Sequence, residues 1–93
     1  MELEIQHNKD KKRFFTFVDG REAYLTYEND SNNVLNFNHT YVPFNLRGRN
    51  IAAKVVGHAL EYVRENNLKV IPSCSYVRAF IEKNKQFSSL VEE

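Results

Sequence analysis

Two arginines and a glycine stand directly before an amphipathic run in the segment LRGRNIAAKVV, residues 46–56. The start of a helix presents unpaired backbone N–H groups and the positive end of the helix dipole, so anions bind there readily. Arg47 and Arg49 would add guanidinium donors that suit phosphate oxygens, and Gly48 and Ala52 are small enough for a phosphate to approach the backbone. The segment lacks the P-loop and dinucleotide-binding motifs. It therefore predicts an anion site at a helix start, or else a surface loop whose arginines are only solvated.

Cys74 and His39 are two further side chains that could take part in catalysis. Cys74 follows a predicted strand and precedes a predicted helix, where the helix dipole favours the nucleophilic thiolate. Free cysteines are also among the most buried residues, so a purely structural role stays open. His39 lies in a predicted strand and suits a general base if it faces a cleft, and otherwise it is a partly exposed strand residue. The single cysteine and three scattered histidines have no zinc-ligand spacing.

The first half of the chain predicts a series of antiparallel strands. Leu3 and Ile5 alternate with polar residues, and aromatic and β-branched residues dominate the segments that follow. Asp19-Gly20 is a strong hairpin signal because glycine accepts a positive φ. The predicted elements are strands at Arg13–Val18, Ala23–Tyr27 and Val34–Val42, with a turn at Asn29–Asn33 before the last strand.

After Pro43 the hydrophobic period changes from two residues to three or four, which predicts an amphipathic helix over Asn50–Glu65. The later predicted elements are a strand at Leu68–Ile71, a helix from a cap at Ser73 or Ser75 to about Lys83, and a last turn around Phe87, Leu90 and Val91. The predicted order is ββββαβα. The expected fold class is α+β, with a mainly antiparallel mixed sheet and helices packed on it.

Composition narrows the classes of partner. The 93 residues suit one domain over residues 1–93, and a net charge of +1 gives no basic surplus for nucleic acid or an anionic membrane. One cysteine excludes an intrachain disulfide. The sequence also contains neither a signal-peptide pattern nor an apolar run long enough to span a membrane. We expect a cytoplasmic protein without a membrane or nucleic-acid partner.

The segment VPFNLRGRNIAAKVVGHALEYVRENNLKVIPSCSYV, residues 42–77, resembles the small single-domain branch of the GCN5-related N-acetyltransferases. In that family a strand leads into an Arg/Gln-x-x-Gly-x-Gly/Ala turn that opens a helix and holds the pyrophosphate of acetyl-coenzyme A. Here the pattern falls on Arg47, Asn50 and Ala52, with Asn50 in place of a glycine. Asparagine is the least costly substitute where φ is positive. The cofactor contacts that the resemblance implies are Arg47, Gly48, Arg49, Asn50, Ile51 and Ala52.

The resemblance also implies how the acetyl group is placed. In the family, the strand before the turn splays from the following strand, and the pantetheine arm lies in the gap. Here those strands are residues 39–42 and 68–71, so Tyr41 and Val42 become contacts beside the thioester. Cys74 becomes a site for an acyl-cysteine intermediate, although most of the family transfers acetyl directly. Tyr76 would protonate the departing thiolate, or else pack its ring on the sheet with its hydroxyl at the rim.

Three functional hypotheses follow. The first is an acetyl-coenzyme A-dependent N-acetyltransferase that acts on an amine, either a small amine or a lysine. The alternative is a coenzyme A-binding or acetyl-coenzyme A-binding protein without transfer activity, since so short a chain has little material for an acceptor pocket. A nucleic-acid module using aromatic residues of the strands is disfavoured by the near-zero net charge. The acceptor and the choice between monomer and homodimer stay open.

Overall fold

Strands and helices follow one another in the order that the sequence predicts. The structure is a computed structural model that describes residues 3–92; Met1, Glu2 and Glu93, which the expected domain limits include, lie outside this range. The strands are β1 (Gln6–Asn8), β2 (Arg13–Val18), β3 (Arg21–Ser31), β4 (Val34–Tyr41) and β5 (Lys69–Pro72). The helices are α1 (Ile51–Glu65) and α2 (Ser75–Lys83), and 3₁₀ turns occupy Phe44–Leu46 and Lys85–Leu90. The α+β class and the ββββαβα order are confirmed.

The five strands lie side by side in chain order. The pairs from β1 to β4 are antiparallel, and β5 joins β4 in parallel because α1 crosses between them. The pairing of β4 with β5 ends where Phe37 lies opposite Pro72. Beyond Phe37, β4 stays paired with β3 as far as Tyr41, which lies opposite Tyr24. The sheet therefore leaves the second half of β4 open on its β5 side.

One face of the sheet and the two helices enclose the hydrophobic core. Alternate residues of β2 and β3 are buried there, and Phe14 and Leu25 have no exposed surface. α1 contributes buried residues at intervals of three and four, as its sequence predicts. The buried residues of the helices are Ile51, Val55, Val56, Ala59, Leu60 and Val63 in α1, and Val77 and Ile81 in α2. Because Ile51 belongs to this core, packing fixes the beginning of α1 against the sheet.

A β-bulge determines which side chains of β4 face the core. Tyr27 pairs with Phe37, whereas the preceding Thr26 pairs with His39, so Asn38 is an additional residue in β4. His39 consequently points away from the core, and the residue after it points inward. A bulge also bends its strand and increases the local twist. Here the bulge lies immediately beyond the last pair that joins β4 to β5.

The ends of the first and third strands differ from the prediction. β3 continues to Ser31, which pairs with Val34, so the predicted turn at Asn29–Asn33 is confined to its last two residues. The backbone pairing that extends β3 depends on β4 and is invisible in the turn-like composition of the segment. Leu3 and Ile5 precede β1 and pack, partly buried, against the core.

The predicted serine cap of α2 is wrong. Cys74 occupies the N-cap position with an extended backbone, at φ −72° and ψ 129°, and neither Ser73 nor Ser75 caps the helix. The backbone N–H of Cys74 donates a hydrogen bond of 3.0 Å to the carbonyl of Phe37 in β4. This tertiary bond fixes the residue from which the helix starts. It also places the cysteine beside the open part of β4.

His7 lies within a cluster of aromatic rings. Its ring stacks on Phe14 with centroids 4.0 Å apart, and its Nε2 and the Tyr27 hydroxyl form a hydrogen bond of 2.6 Å. Burial, and to a smaller extent the charges of Lys9 and His58, lower the pKa of His7 from 6.5. The folded state therefore favours the neutral imidazole.

We expect the free energy of unfolding to fall as the pH drops below 6.5. Above that pH the imidazole is neutral in both states; below it the unfolded chain takes up a proton that the folded chain resists, until the lowered folded pKa is reached. The loss should stay below about 1 kcal/mol, because solvent screens a half-exposed group. Urea titrations at about pH 7.5 and about pH 5.5 measure it. The drop should be smaller in His7→Gln, and an identical drop in that variant would contradict the assignment to His7.

Candidate functional site

The loop between β4 and α1, residues 42–50, has an unusual backbone at two positions. Gly48 has a φ of 86°, and Asn50 has a φ of 65° with a ψ of 22°. Both values lie in the left-handed region, which glycine adopts freely and asparagine adopts more readily than most other residues. The asparagine that stands in place of a glycine at Asn50 therefore has a backbone conformation that suits either residue.

The first turn of α1 is open to an anion. Asn50 makes no capping hydrogen bond with its side chain, and no acidic residue occupies this turn. The bond from the Lys54 N–H to the Asn50 carbonyl, 3.3 Å, starts the helical ladder. The amides of Ile51, Ala52 and Ala53 come before it and have no backbone acceptor within residues 3–92. This turn accordingly offers a set of N–H donors at the positive end of the helix dipole.

The two arginines of the loop point in different directions. Arg47 donates from Nε to the carbonyl of Val42 at 3.1 Å, and its guanidinium lies 5.7 Å from the ring centre of Phe44. Arg49 instead forms an ion pair of 3.2 Å with Asp19, in the turn between β2 and β3. Arg47 lines the cleft in front of α1, and Arg49 is absent from its lining. Of the two predicted phosphate contacts, the structure brings Arg47 to the cleft and ties Arg49 to the hairpin.

Three adjoining depressions surround the start of α1, and Tyr76 lines all of them. The loop cleft, about 450 Å³, is lined by Val42, Leu46, Arg47, Gly48, Asn50, Ile51, Ala52 and Tyr76. The strand cleft, about 250 Å³, runs along β4 and is lined by Thr40, Tyr41, Val42, Arg47, Ala52 and Tyr76. The interhelical groove, about 460 Å³, is lined by Asn50, Ala53, Lys54, Tyr76, Ala79, Phe80, Lys83 and Asn84. Together they form a path from the helices to the open edge of β4.

The charged residues that line this path have one sign. They are Arg47, Lys54 and Lys83, and none of the carboxylates or imidazoles of residues 3–92 lines the three depressions. The chain as a whole carries a net charge of only +1, so the one-signed lining is a local feature of this path. Such a lining attracts a multiply charged anion.

Cys74 lies where β4 and β5 part. Its thiol is half-buried and donates to the Thr40 hydroxyl, with Sγ and Oγ1 3.5 Å apart. Burial is the largest single influence on the pKa of Cys74 and raises it. The hydrogen bond with the Thr40 side chain and the backbone groups of Val77, Tyr76 and Thr40 each lower the pKa, and together they outweigh burial, so the pKa is lowered overall. These backbone amides affect the pKa although the Cys74 side chain forms no N-cap hydrogen bond with α2. Cys74 therefore has more thiolate character than an ordinary cysteine.

Tyr76 and His39 occupy different faces of the site. Tyr76, in the first turn of α2, is 39% exposed, and burial raises its pKa, which moves the ionisation of a phenol that is already protonated at neutral pH further from that pH. His39 lies on the opposite face of β4 from Thr40, with its ring 6.1 Å from that of Tyr24. Tyr41 shares that outer face and still lines the strand cleft. The structure thus places Tyr76 along the whole path and the Cys74 thiol beside Thr40 of the strand cleft, and it leaves His39 on the outer face of β4.

Sequence reasoning missed three features of the site. Thr40 belongs to no recognisable sequence motif. Its contact with Cys74 depends on the bulge in β4 and on contacts between residues far apart in the chain. Asp19 reads as a turn residue, and nothing local connects it with Arg49. The interhelical groove joins residues from α1 and α2. In the sequence, the one sign of this groove is that Lys54 and Lys83 lie on the polar faces of two successive predicted helices.

Residues 13–90 match the GCN5-related N-acetyl-transferase family. The chain belongs to this family. Among its relatives, Protein NATD1 of Danio rerio is 32% identical over 84 residues, which cover 88% of this chain and 76% of the relative. Protein NATD1 of Homo sapiens is 30% identical, over 88% of this chain and 74% of its own length. A GCN5-like protein from Staphylococcus aureus, solved by NMR, superposes with a TM-score of 0.72 at 30% identity, over 97% of this chain and 88% of the other.

Membership of the GCN5-related N-acetyltransferase family, together with the fold, assigns acetyl transfer as the class of activity. The expected resemblance and the acetyltransferase fold are confirmed. Across residues 3–92, no helix combines the length and apolar character needed to cross a membrane. The same residues contain no group of three or more His, Cys, Asp or Glu that could hold a metal ion.

The two loop arginines provide a matched pair of variants. We expect Arg47→Gln to weaken binding of acetyl-coenzyme A about tenfold, because it would remove a charge-assisted contact, worth about 1.5 kcal/mol, to a phosphate bound in the loop cleft. Arg49→Gln should change affinity less than about threefold, since its exposed pair with Asp19 contributes little. Calorimetric titration of both variants measures the difference. A larger loss in Arg49→Gln than in Arg47→Gln would reverse the assignment.

Proposed function

We propose that this chain is an acetyl-coenzyme A-dependent N-acetyltransferase that acts on an amine acceptor. One observation carries the proposal: the uncapped start of α1 opens onto a cationic path that continues along the open edge of β4 towards Cys74 and Tyr76. A helix start with free amides suits a diphosphate. An open strand edge suits the amide groups of pantetheine, which can pair like a peptide.

The residues that would hold the cofactor follow from this fit. The amides of Gly48 to Ala52, supported by Arg47, would bind the diphosphate, and Asn50 supplies the turn that aims them. Val42 and Tyr41 would contact the arm beside the thioester. Lys54 and Lys83 give the interhelical groove a charge that suits further phosphate. Arg49 pairs with Asp19 at the surface and would contribute less to cofactor binding than Arg47.

Acetyl-coenzyme A supplies an acetyl group activated as a thioester. At neutral pH Tyr76 holds a proton that it can donate to the departing thiolate, since burial raises the pKa of its phenol. Cys74 can act as a nucleophile through its thiolate, or it can simply line the site during direct transfer to the amine. His39 could serve as a base for an acceptor that approaches from the outer face of β4.

The acceptor in this proposal is a small amine or a lysine, and the protein works in the cytoplasm as a monomer or a homodimer. A thiol in the site suits a reducing compartment. A coenzyme A-binding protein without transfer activity is the competing function. It would use the same path for the cofactor and show no acetyl-dependent turnover.

Calorimetric titration with acetyl-coenzyme A and with coenzyme A tests the proposal, followed by a turnover assay on a panel of small amines and lysine peptides. We expect binding of both ligands and release of free coenzyme A with at least one acceptor. Intact mass after incubation with acetyl-coenzyme A, with Cys74→Ala as the control, separates the two routes. An acetyl adduct that needs Cys74 indicates the covalent route. Binding without turnover on any acceptor would favour the competing function, and no binding would overturn both.

A further inference from the structure

Thr40 and Cys74 meet across the gap between β4 and α2. The backbone of Cys74 is anchored to β4 through its 3.0 Å hydrogen bond to the Phe37 carbonyl. Its side chain is anchored to the same strand three residues further along, where Sγ lies 3.5 Å from the Thr40 Oγ1. Cys74 is therefore held at two points of β4, one for its backbone and one for its sulfur.

The position of the Thr40 hydroxyl is itself fixed. Thr40 pairs with Leu25, so its side chain points to the core side of the sheet. It is half-buried, and its branched β-carbon restricts rotation about χ1. The hydroxyl hydrogen remains free to rotate, so the group accepts a hydrogen bond from the thiol and can donate one to the thiolate. A fixed donor beside an anionic sulfur favours that anion.

We propose that Thr40 is a positioning residue for Cys74: its hydroxyl donates to the Sγ thiolate and holds the sulfur beside β4, next to the strand cleft that Thr40 lines. The role of this thiolate in acetyl transfer rests on the proposed function. The hydrogen bond and its effect on the thiol do not, because both exist without cofactor or acceptor.

The other charged and titratable groups around Cys74 do not account for the same effect. On β4, His39 points to the opposite face from Thr40. On α2, the guanidinium of Arg78 donates to the Ser73 carbonyl at 3.2 Å, and Tyr76 keeps its proton because burial raises its pKa. The backbone amides at the start of α2 add a favourable field that no side-chain change at position 40 removes. Thr40 is thus the side-chain hydroxyl whose removal isolates one hydrogen bond.

The test compares Thr40→Val with Thr40→Ser. Valine keeps the branched shape and removes the hydroxyl, whereas serine keeps the hydroxyl. Cys74 is the single cysteine of the chain, so intact mass after iodoacetamide treatment reports on this thiol alone. The alkylation rate, measured against pH in the free protein, gives the apparent pKa of the thiol. Absorbance of the thiolate near 240 nm gives the same pKa without a reagent. This second measurement does not depend on access of iodoacetamide to the sulfur.

We expect the apparent pKa of Cys74 to rise by about one unit in Thr40→Val, which lowers the thiolate fraction about tenfold at neutral pH. Thr40→Ser should reproduce the original profile. Far-ultraviolet circular dichroism confirms that each variant is folded. A Thr40→Val profile that coincides with the original would overturn the proposal, as would an equal shift in Thr40→Ser. Failure of acetyl transfer would leave this result untouched, so the two proposals fail separately.

Discussion

Ala52→Glu should reduce the affinity for acetyl-coenzyme A about 100-fold while leaving the fold intact. Ala52 lines both the loop cleft and the strand cleft, so a carboxylate there would face a diphosphate held as we propose. Two like charges about 4 Å apart repel by up to about 4 kcal/mol at an effective dielectric constant near 20, and solvent in an open cleft reduces this value. Calorimetric titration measures the loss of affinity.

The same substitution should not destabilise the protein. A negative charge in the first turn of a helix interacts favourably with the helix dipole, by about 0.3–1 kcal/mol. The first turn of α1 contains no acidic residue, so the new carboxylate adds this interaction. We expect an unchanged or higher midpoint of thermal unfolding. Binding and stability would then move in opposite directions, which a variant that merely misfolds cannot reproduce.

Ala52→Gln is the matched control, because glutamine has the size of glutamate without its charge. It should narrow the cleft and weaken binding by less than about tenfold, so the remaining difference from Ala52→Glu reports on charge. Equal affinities in the two variants would show that this turn does not face the phosphates. The cofactor would then have to bind elsewhere.

Tyr76→Phe should lower kcat about 100-fold and leave KM within about threefold. The substitution removes a single hydroxyl and keeps the ring that lines all three depressions, so cofactor binding should persist. A phenol is protonated at neutral pH, the raised pKa of Tyr76 reinforces this, and a departing thiolate gains from that proton in the transition state. Steady-state kinetics on an accepted amine measure both constants.

Tyr41→Phe serves as the comparison for Tyr76→Phe. Tyr41 also lines the strand cleft, but its side chain lies on the outer face of β4, where its ring is 5.5 Å from that of Tyr24. We expect kcat to change less than about threefold in this variant. A similarly small change in Tyr76→Phe would remove Tyr76 from the role of proton donor.

The sequence was sufficient for the features that depend on local pattern. The change of hydrophobic period at Pro43 located α1 to within one residue, since its apolar face packs on the sheet as the spacing predicts. The left-handed backbone at Asn50 agrees with the choice of asparagine at a position that demands a positive φ. Both arise from interactions within a few residues, which a sequence displays directly.

The remaining features depend on residues far apart in the chain. The alternation of polar and apolar residues along β4 could not show which face of the sheet His39 lies on, because the extra residue Asn38 shifts the pattern by one position. Arg49 reaches Asp19 thirty residues earlier, an ion pair that requires the hairpin and the loop to be folded together. The cap of α2 falls on Cys74 because a carbonyl of β4 binds its backbone. In each case tertiary pairing outweighed the local preference.

Because of the bulge, the site depends on the number of residues in β4 as well as on the chemistry of its side chains. Deleting Asn38 would give a regular strand in which Phe37, His39 and Thr40 keep their present partners on β3 and hence their present faces. The deletion would remove the bulge, and with it the local bend and extra twist that a bulge gives its strand just beyond the β4–β5 pairing. A substitution scan preserves the number of residues and would therefore pass over this determinant. Single-residue deletions and insertions are the changes that address the width of the gap.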